Sequence, residues 1–271
     1  MNSPQLPDQL VAAPVETVMP QLANHIYALI SLSLFLIVAI VLFREGLRRK
    51  SLVPILFLLG GTISYFMEPF FDYNICIWYP EIGTDSFYRL YNKSIPIWPI
   101  GVYGIYMGGG AYWVYRKMIE GTTSSALWKM SLLFFAADLI LEIPGLQLGL
   151  YYYYGPQAFK IGGIPLWMVM ANTGVPFLIA ASIFGLRHFL TGYRIWLIPL
   201  LVFTLCLTGE VLSGWPMWFT LNSGAGLTGT RLATIPVFCF SALLIYIISS
   251  LVCADKKVDH PVSPKLNPAE P

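Results

Sequence analysis

A chain of 271 residues that is 56% hydrophobic, 15% aromatic and 11% charged is not built like a soluble domain, which carries about 25% charged residues. A formal net charge of +2 says little by itself, because in an apolar chain the placement of charge matters more than its sum. Four cysteines (Cys76, Cys206, Cys239, Cys253) show no CxxC spacing, and three fall in or beside apolar segments; they predict neither a disulfide framework nor a metal site.

Met1 to Ala23 contains no Lys or Arg and several Pro, so it lacks the basic start of a signal peptide, and the first apolar segment is expected to stay as a helix. Seven apolar segments follow, near His25–Phe43, Leu52–Phe71, Ile95–Tyr115, Leu127–Leu148, Ile164–Leu186, Ile195–Trp215 and Leu232–Val252. Each is long enough to cross a bilayer core of about 30 Å. They are continuous apolar runs, which disfavours an alternating β-barrel pattern. The predicted fold is an all-α integral membrane bundle of seven transmembrane helices.

Basic residues set the expected orientation. Arg44, Arg48, Arg49, Lys50, Arg116, Lys117, Lys129, Arg187, Arg194, Lys256, Lys257 and Lys265 fall on one side; Arg89, Lys93, Lys160 and Arg231 fall on the other. Twelve against four predicts an N-terminus outside and a C-terminus in the cytoplasm of a multi-pass cell-membrane protein. Residues 1–23 form an outer N-terminal segment, 24–253 the helical domain, and 254–271 a polar, Pro-rich tail expected to be disordered.

A weak internal repeat accompanies this topology. Each even-numbered segment carries a Glu in its outer part (Glu68, Glu142, Glu210), and each returning segment is expected to begin with Ile-Pro: Ile95-Pro96, Ile164-Pro165, Ile235-Pro236. The Glu-to-Pro separations are 28, 23 and 26 residues.

The chemistry is expected at those acids. Asp138 and Glu142 are four residues apart and share a helix face, about one turn from each other. An ionisable group at membrane depth costs on the order of 2.5–3.5 kcal/mol on translocon scales, which favours a function or a partner for it. Glu68, Glu210 and Asn172 lie at a similar depth, and Asp72 repeats the four-residue spacing after Glu68 and is expected near the surface. Burial disfavours the charged form of a carboxyl group, and a second acid nearby separates a pair into acid and base. Asp138, Glu142, Glu68 and Glu210 are the candidate catalytic residues. Asn172, Asp72, Tyr65, Tyr151, Trp167 and Trp215 are candidate substrate contacts, the aromatics because their faces stabilise a developing cation. Two plainer readings stand beside these: acids that hydrogen-bond across helices to hold a bundle together, and aromatics that form an interfacial belt. Gly108-Gly109-Gly110 is expected to permit close helix packing. No HExxH, His cluster, DDxxD or nucleotide-binding loop occurs, so no cofactor, metal or nucleic acid is expected.

Glu142-Ile-Pro-Gly-Leu-Gln-Leu-Gly-Leu-Tyr-Tyr-Tyr-Tyr-Gly155, followed by Gly163-Ile-Pro-Leu-Trp167, resembles a pattern in membrane carotenoid hydratases: a late helix acid, a Gly/Tyr-rich outer loop and a Gly-x-Pro-Leu entry. The chain is also similar, in size and in its intramembrane acids, to small heptahelical terpene cyclases. These resemblances imply an isoprenoid-like substrate; the Glu68 and Glu210 hairpins lie outside the matching stretch. The expected function is intramembrane acid–base catalysis that cyclises, hydrates or isomerises a lipophilic isoprenoid or polyketide-like molecule, with membrane lipids as the surroundings. A proton-coupled transporter and a heptahelical sensor are the alternatives; a seventh segment without Lys disfavours a retinal protein.

Overall fold

The protein is described by a computed structural model of residues 12–91 and 93–259, with side chains to residue 253. It is mostly helical, and among the described residues seven helical runs stand at the seven apolar segments. They are α1 (Gln21–Arg49), α2 (Val53–Ile75), α3 (residues 99–119), α4 (Ser124–Gln147), α5 (Leu166–Gly185), α6 (Gly192–Leu221) and α7 (Gly226–Asp259). Five of them, α1, α2, α5, α6 and α7, are long and apolar enough to cross a membrane. Of the other two, α3 ends on Arg116 and Lys117, and α4 holds Lys129, Asp138 and Glu142.

The backbone of α7 runs past Ala254 to Asp259, so the expected tail is helical at its start; residues 260–271, like 1–11, lie outside the described residues. The repeat holds in two of its three copies. Ile95-Pro96 and Ile164-Pro165 end short strands that lead into α3 and α5. Ile235-Pro236 instead lies inside α7, which has already begun at Gly226.

Prolines recur at one level of the runs, and α2 and α3 depart there from α geometry. Pro69 has no N–H to offer the carbonyl of Tyr65 one turn earlier, and its ring crowds that carbonyl. The chain answers with a 3₁₀ turn at Tyr65–Met67, and the Tyr88 hydroxyl donates to the Tyr65 carbonyl at 3.0 Å. Pro144, Pro176 and Pro216 lie inside α4, α5 and α6, where each likewise removes one backbone donor while the helix continues past it. In α3 the stretch Gly104–Gly110 is π-helical, a form that concentrates at functional sites.

Glycines bring backbones together. A Cβ on Gly61 would stand 2.3 Å from the amide nitrogen of Gly108, so α2 and α3 cross backbone to backbone there. Gly60 does the same for α2 against Pro199 of α6. Of the three consecutive glycines, Gly108 performs the packing role expected of it, while Gly110 faces the ring of Phe134.

The short strands close one end of the bundle. β1 (Ile77–Trp78) pairs antiparallel with β4 (Tyr152–Tyr153), joining the loop after α2 to the loop after α4. β2 (Ser86–Leu90) pairs with β3 (Lys93–Pro96), and β5 (Lys160–Ile161) with β6 (Ile164–Pro165). Gln157 staples this cap to the helices: its amide donates to the Ile75 carbonyl at 2.8 Å and accepts from the Trp167 indole at 3.0 Å. Beneath the cap lie two apolar cores, one rich in Tyr and Trp, the other built on Phe57, Phe134 and Phe177.

Candidate functional site

Between the two cores is a cavity of about 70 Å³. Glu68, Asp138, Glu142 and Glu210 all line it, from α2, α4 and α6, and Asn172 joins them from α5. The prolines of α2, α4, α5 and α6 stand near the level of this cavity: each polar side chain lies on the N-terminal side of a proline of its run, within six residues.

Each acid has a distinct environment. Glu68 accepts the Tyr79 hydroxyl on Oε1 at 2.5 Å and the Tyr103 hydroxyl on Oε2 at 2.6 Å. Glu142 accepts the Tyr151 and Tyr153 hydroxyls on one oxygen, Oε2, at 2.8 and 3.2 Å. The Asn172 amide donates to both oxygens of Asp138, at 3.1 and 3.3 Å. Glu210 is 2% exposed and its Oε2 is buried without a hydrogen-bond partner. No Lys, Arg or His lines the cavity. The tyrosines of the cap remain donors throughout the ordinary pH range, because burial pushes the hydroxyls of Tyr79, Tyr151 and Tyr153 well above their usual value and the nearby carboxyl groups push them further.

Aromatic rings roof the cavity. Tyr79, Trp98 and Tyr151 lie pairwise with centroids 5.5 to 5.9 Å apart. Tyr106 also lines the cavity, and its hydroxyl donates to the Phe134 carbonyl at 3.3 Å.

Of the six expected substrate contacts, Asn172 and Tyr151 line the cavity and four side chains lie elsewhere. Tyr65 spends its hydroxyl on the Pro96 carbonyl. Trp167 belongs to the Gln157 staple, and Trp215 is half-exposed and stacked on Phe240. Each tryptophan is five residues from a cavity residue, Asn172 or Glu210, which turns it by about 140° around its helix. Asp72, expected near the surface, is fully buried, with neither carboxyl oxygen hydrogen-bonded. Its electrostatic neighbour is Lys93 on β3, whose amine donates to the Ile77 carbonyl at 2.5 Å and whose pKa burial lowers, against the opposing pull of Asp72.

The sequence reading missed Trp98, Tyr103 and Tyr106. A signal was present: Tyr103 and Tyr106 are three apart in the third segment and so share a face. Among the described residues, no group of three His, Cys, Asp or Glu side chains is placed to hold a metal ion.

What fold and site define is a helical, apolar chain enclosing a cavity of acids and tyrosines. The chain matches no family model, no curated protein and no solved structure, so its function is argued from this cavity alone.

Proposed function

We propose that the chain is a multi-pass membrane enzyme that cyclises, hydrates or isomerises a lipophilic substrate, isoprenoid or polyketide-like, by proton transfer inside the bundle. The observation that carries this is the meeting of four carboxyl groups around one cavity with no cation in its wall. In this proposal all seven runs cross the bilayer, and the bias of twelve basic residues against four leaves the N-terminus outside and the C-terminus in the cytoplasm. Burying several acids together is costly, and the hydrogen-bonded tyrosines offset only part of that cost. A bundle that needed only cohesion would do better with apolar packing.

Glu142 accepts both of its hydroxyls on Oε2, which leaves Oε1 to carry a proton. Together with Asp138 it delivers that proton to an alkene carbon or an epoxide oxygen. The resulting cation faces the rings of Tyr79, Trp98 and Tyr151. Glu68, both of whose oxygens already accept donors, stabilises the charge, and Glu68 or Glu210 removes a proton from an adjacent carbon to leave a new double bond. Capture of the cation by water, with loss of a proton from that water, gives hydration instead. Asn172 orients substrate or water. General acid–base assistance is worth about 10²–10⁴-fold, and exclusion of water protects the cation. The cavity matches about two water volumes, so the reacting end of a substrate enters as flexible wall residues, Met107 and Met168 among them, move aside.

The test compares lipophilic extracts by mass spectrometry from three strains: wild type, gene-deleted, and Glu142→Gln. Deletion and the Gln variant are expected to accumulate one shared precursor while the variant protein stays abundant in the membrane. A product heavier by the mass of water identifies hydration; an unchanged mass identifies isomerisation or cyclisation. Three matching extracts would overturn the acid–base role of Glu142. A proton-coupled carrier is the alternative, drawing on Tyr106, which lines both this cavity and an open groove beside α1. It requires flux that collapses with the proton gradient and no chemical conversion.

A further inference from the structure

α1 leans on α2 and α3. The Tyr27 hydroxyl ties α1 to the Leu141 carbonyl of α4. Below that tie, α1, α3 and α4 leave an open groove of about 870 Å³, twelve times the size of the acid cavity and in the range of a ligand site. Its walls are apolar, with Val38 and Val41 on α1 and Leu133, Phe134 and Ala137 on α4. Gly109 and Gly110 of the π-helical stretch form part of its floor. From Val38 to Arg49 the groove follows about 17 Å of α1.

The two ends differ in character. The end near Leu141 is apolar. The other carries Arg44, Arg48, Arg49, Arg116 and Lys117, with two carboxylates, Glu45 and Glu120. Those two acids are shared: Glu45 accepts from Arg48 and Arg49, and Glu120 from Arg116 and Lys117. Five cations against two anions leave a surplus of three positive charges at the mouth of an apolar trough.

We infer that the groove between α1, α3 and α4 binds an anionic phospholipid, its phosphate at the Arg44, Arg48 and Arg116 rim and an acyl chain lying along Val38, Leu133 and Ala137. The complementarity is that of an amphiphile: a phosphate accepts the paired N–H donors of guanidinium groups, and a chain replaces water or voids against the walls. A zwitterionic lipid satisfies the trough but not the surplus charge. The inference rests on the membrane-spanning reading and is independent of any acid–base chemistry at Glu142.

The experiment uses the full chain purified in mild detergent, with native mass spectrometry of lipid carried by the protein. Phosphatidylglycerol and phosphatidylcholine of equal chain length compete at equal concentration. Phosphatidylglycerol is expected to be retained preferentially, and each positive side chain removed at the rim, as in Arg44→Gln and Arg44→Gln with Arg48→Gln, is expected to lower that preference about fivefold. Ala137→Phe, which fills the trough, is expected to lower retention of both lipids. Equal retention of the two lipids, or a preference unchanged by the Arg substitutions, overturns the inference. A second measurement needs no variant: a photoreactive phosphatidylglycerol labelled in its chain should cross-link to peptides covering residues 38–45 or 133–141. Cross-links confined to other segments, or a lipid-free dimer covering this face, also overturn it.

Discussion

Tyr103 shows how one hydroxyl ties a carboxyl group to its task. It donates to Glu68 Oε2 at 2.6 Å while Tyr79 occupies Oε1, so Tyr103→Phe strips one oxygen of its only donor. A hydrogen bond to a charged group is worth roughly 1.5–3 kcal/mol, and an abandoned buried acceptor costs a similar amount. If Glu68 stabilises a cation or acts as base, product formation in the Tyr103→Phe strain should fall about 10- to 100-fold, with the protein still present in the membrane. Undiminished product in that strain would remove Glu68 from the chemistry. Lys93 tests a residue of the cap. Burial lowers its pKa, so over the interval between its folded and its ordinary value the unfolded chain holds a proton that the fold does not. Stability from this group therefore rises as pH rises through that interval. The melting temperature of the wild type minus that of Lys93→Met should grow from pH 7 toward pH 10. A constant difference would mean that the amine is solvated.

Among the elements, α2 and α3 cross with their backbones in close approach at Gly61 and Gly108. A Cβ on Gly61 would meet Gly108 N at 2.3 Å and Gly108 Cα at 2.6 Å, backbone atoms that cannot rotate away. Gly61→Ala should cost roughly 1–3 kcal/mol as overpacking, read as a lower melting temperature in detergent. Gly185→Ala, with nothing within 4 Å of its Cβ, is the matched control and should be neutral or slightly stabilising. Equal behaviour of the two would show that the helices separate at little cost. The elements were largely legible in the chain: continuous apolar length located the seven helical runs, and the Gly-rich third segment announced close packing. The distortions were less so. Pro69 signals a break, yet that it takes the form of a 3₁₀ turn satisfied by Tyr88 depends on a side chain 23 residues away. The third Ile-Pro misled for a related reason: Ile-Pro also fits a helix interior whose neighbours absorb the lost hydrogen bond, as in α7.

For the molecule as a whole, the proposed topology makes the cap an outer structure and the basic groove mouth a cytoplasmic one. In a chain cleared of its own cysteines, a membrane-impermeant thiol reagent applied to intact cells should label Asp85→Cys in the cap and spare Ser125→Cys at the start of α4. Reversed labelling would invert the orientation, and labelling of both would break the proposed count of crossings. At this scale the division between chain and fold is plain. Composition and run length determine a helical, apolar protein, because burying backbone in an apolar setting demands internal hydrogen bonds wherever the segments end up. Helical depth likewise determines that Glu68, Asp138, Glu142, Glu210 and Asn172 stand near one level. Whether they face one another is a matter of rotation about each helix axis, which a single run cannot specify. Packing at Gly60, Gly61 and Gly108 sets that rotation for α2, α3 and α6. In the folded bundle Trp167 and Trp215 are turned away from the cavity, and Trp98, Tyr103 and Tyr106 line it. The groove beside α1 was decided there too, since a trough between three helices is a property of how they diverge and belongs to none of their sequences alone.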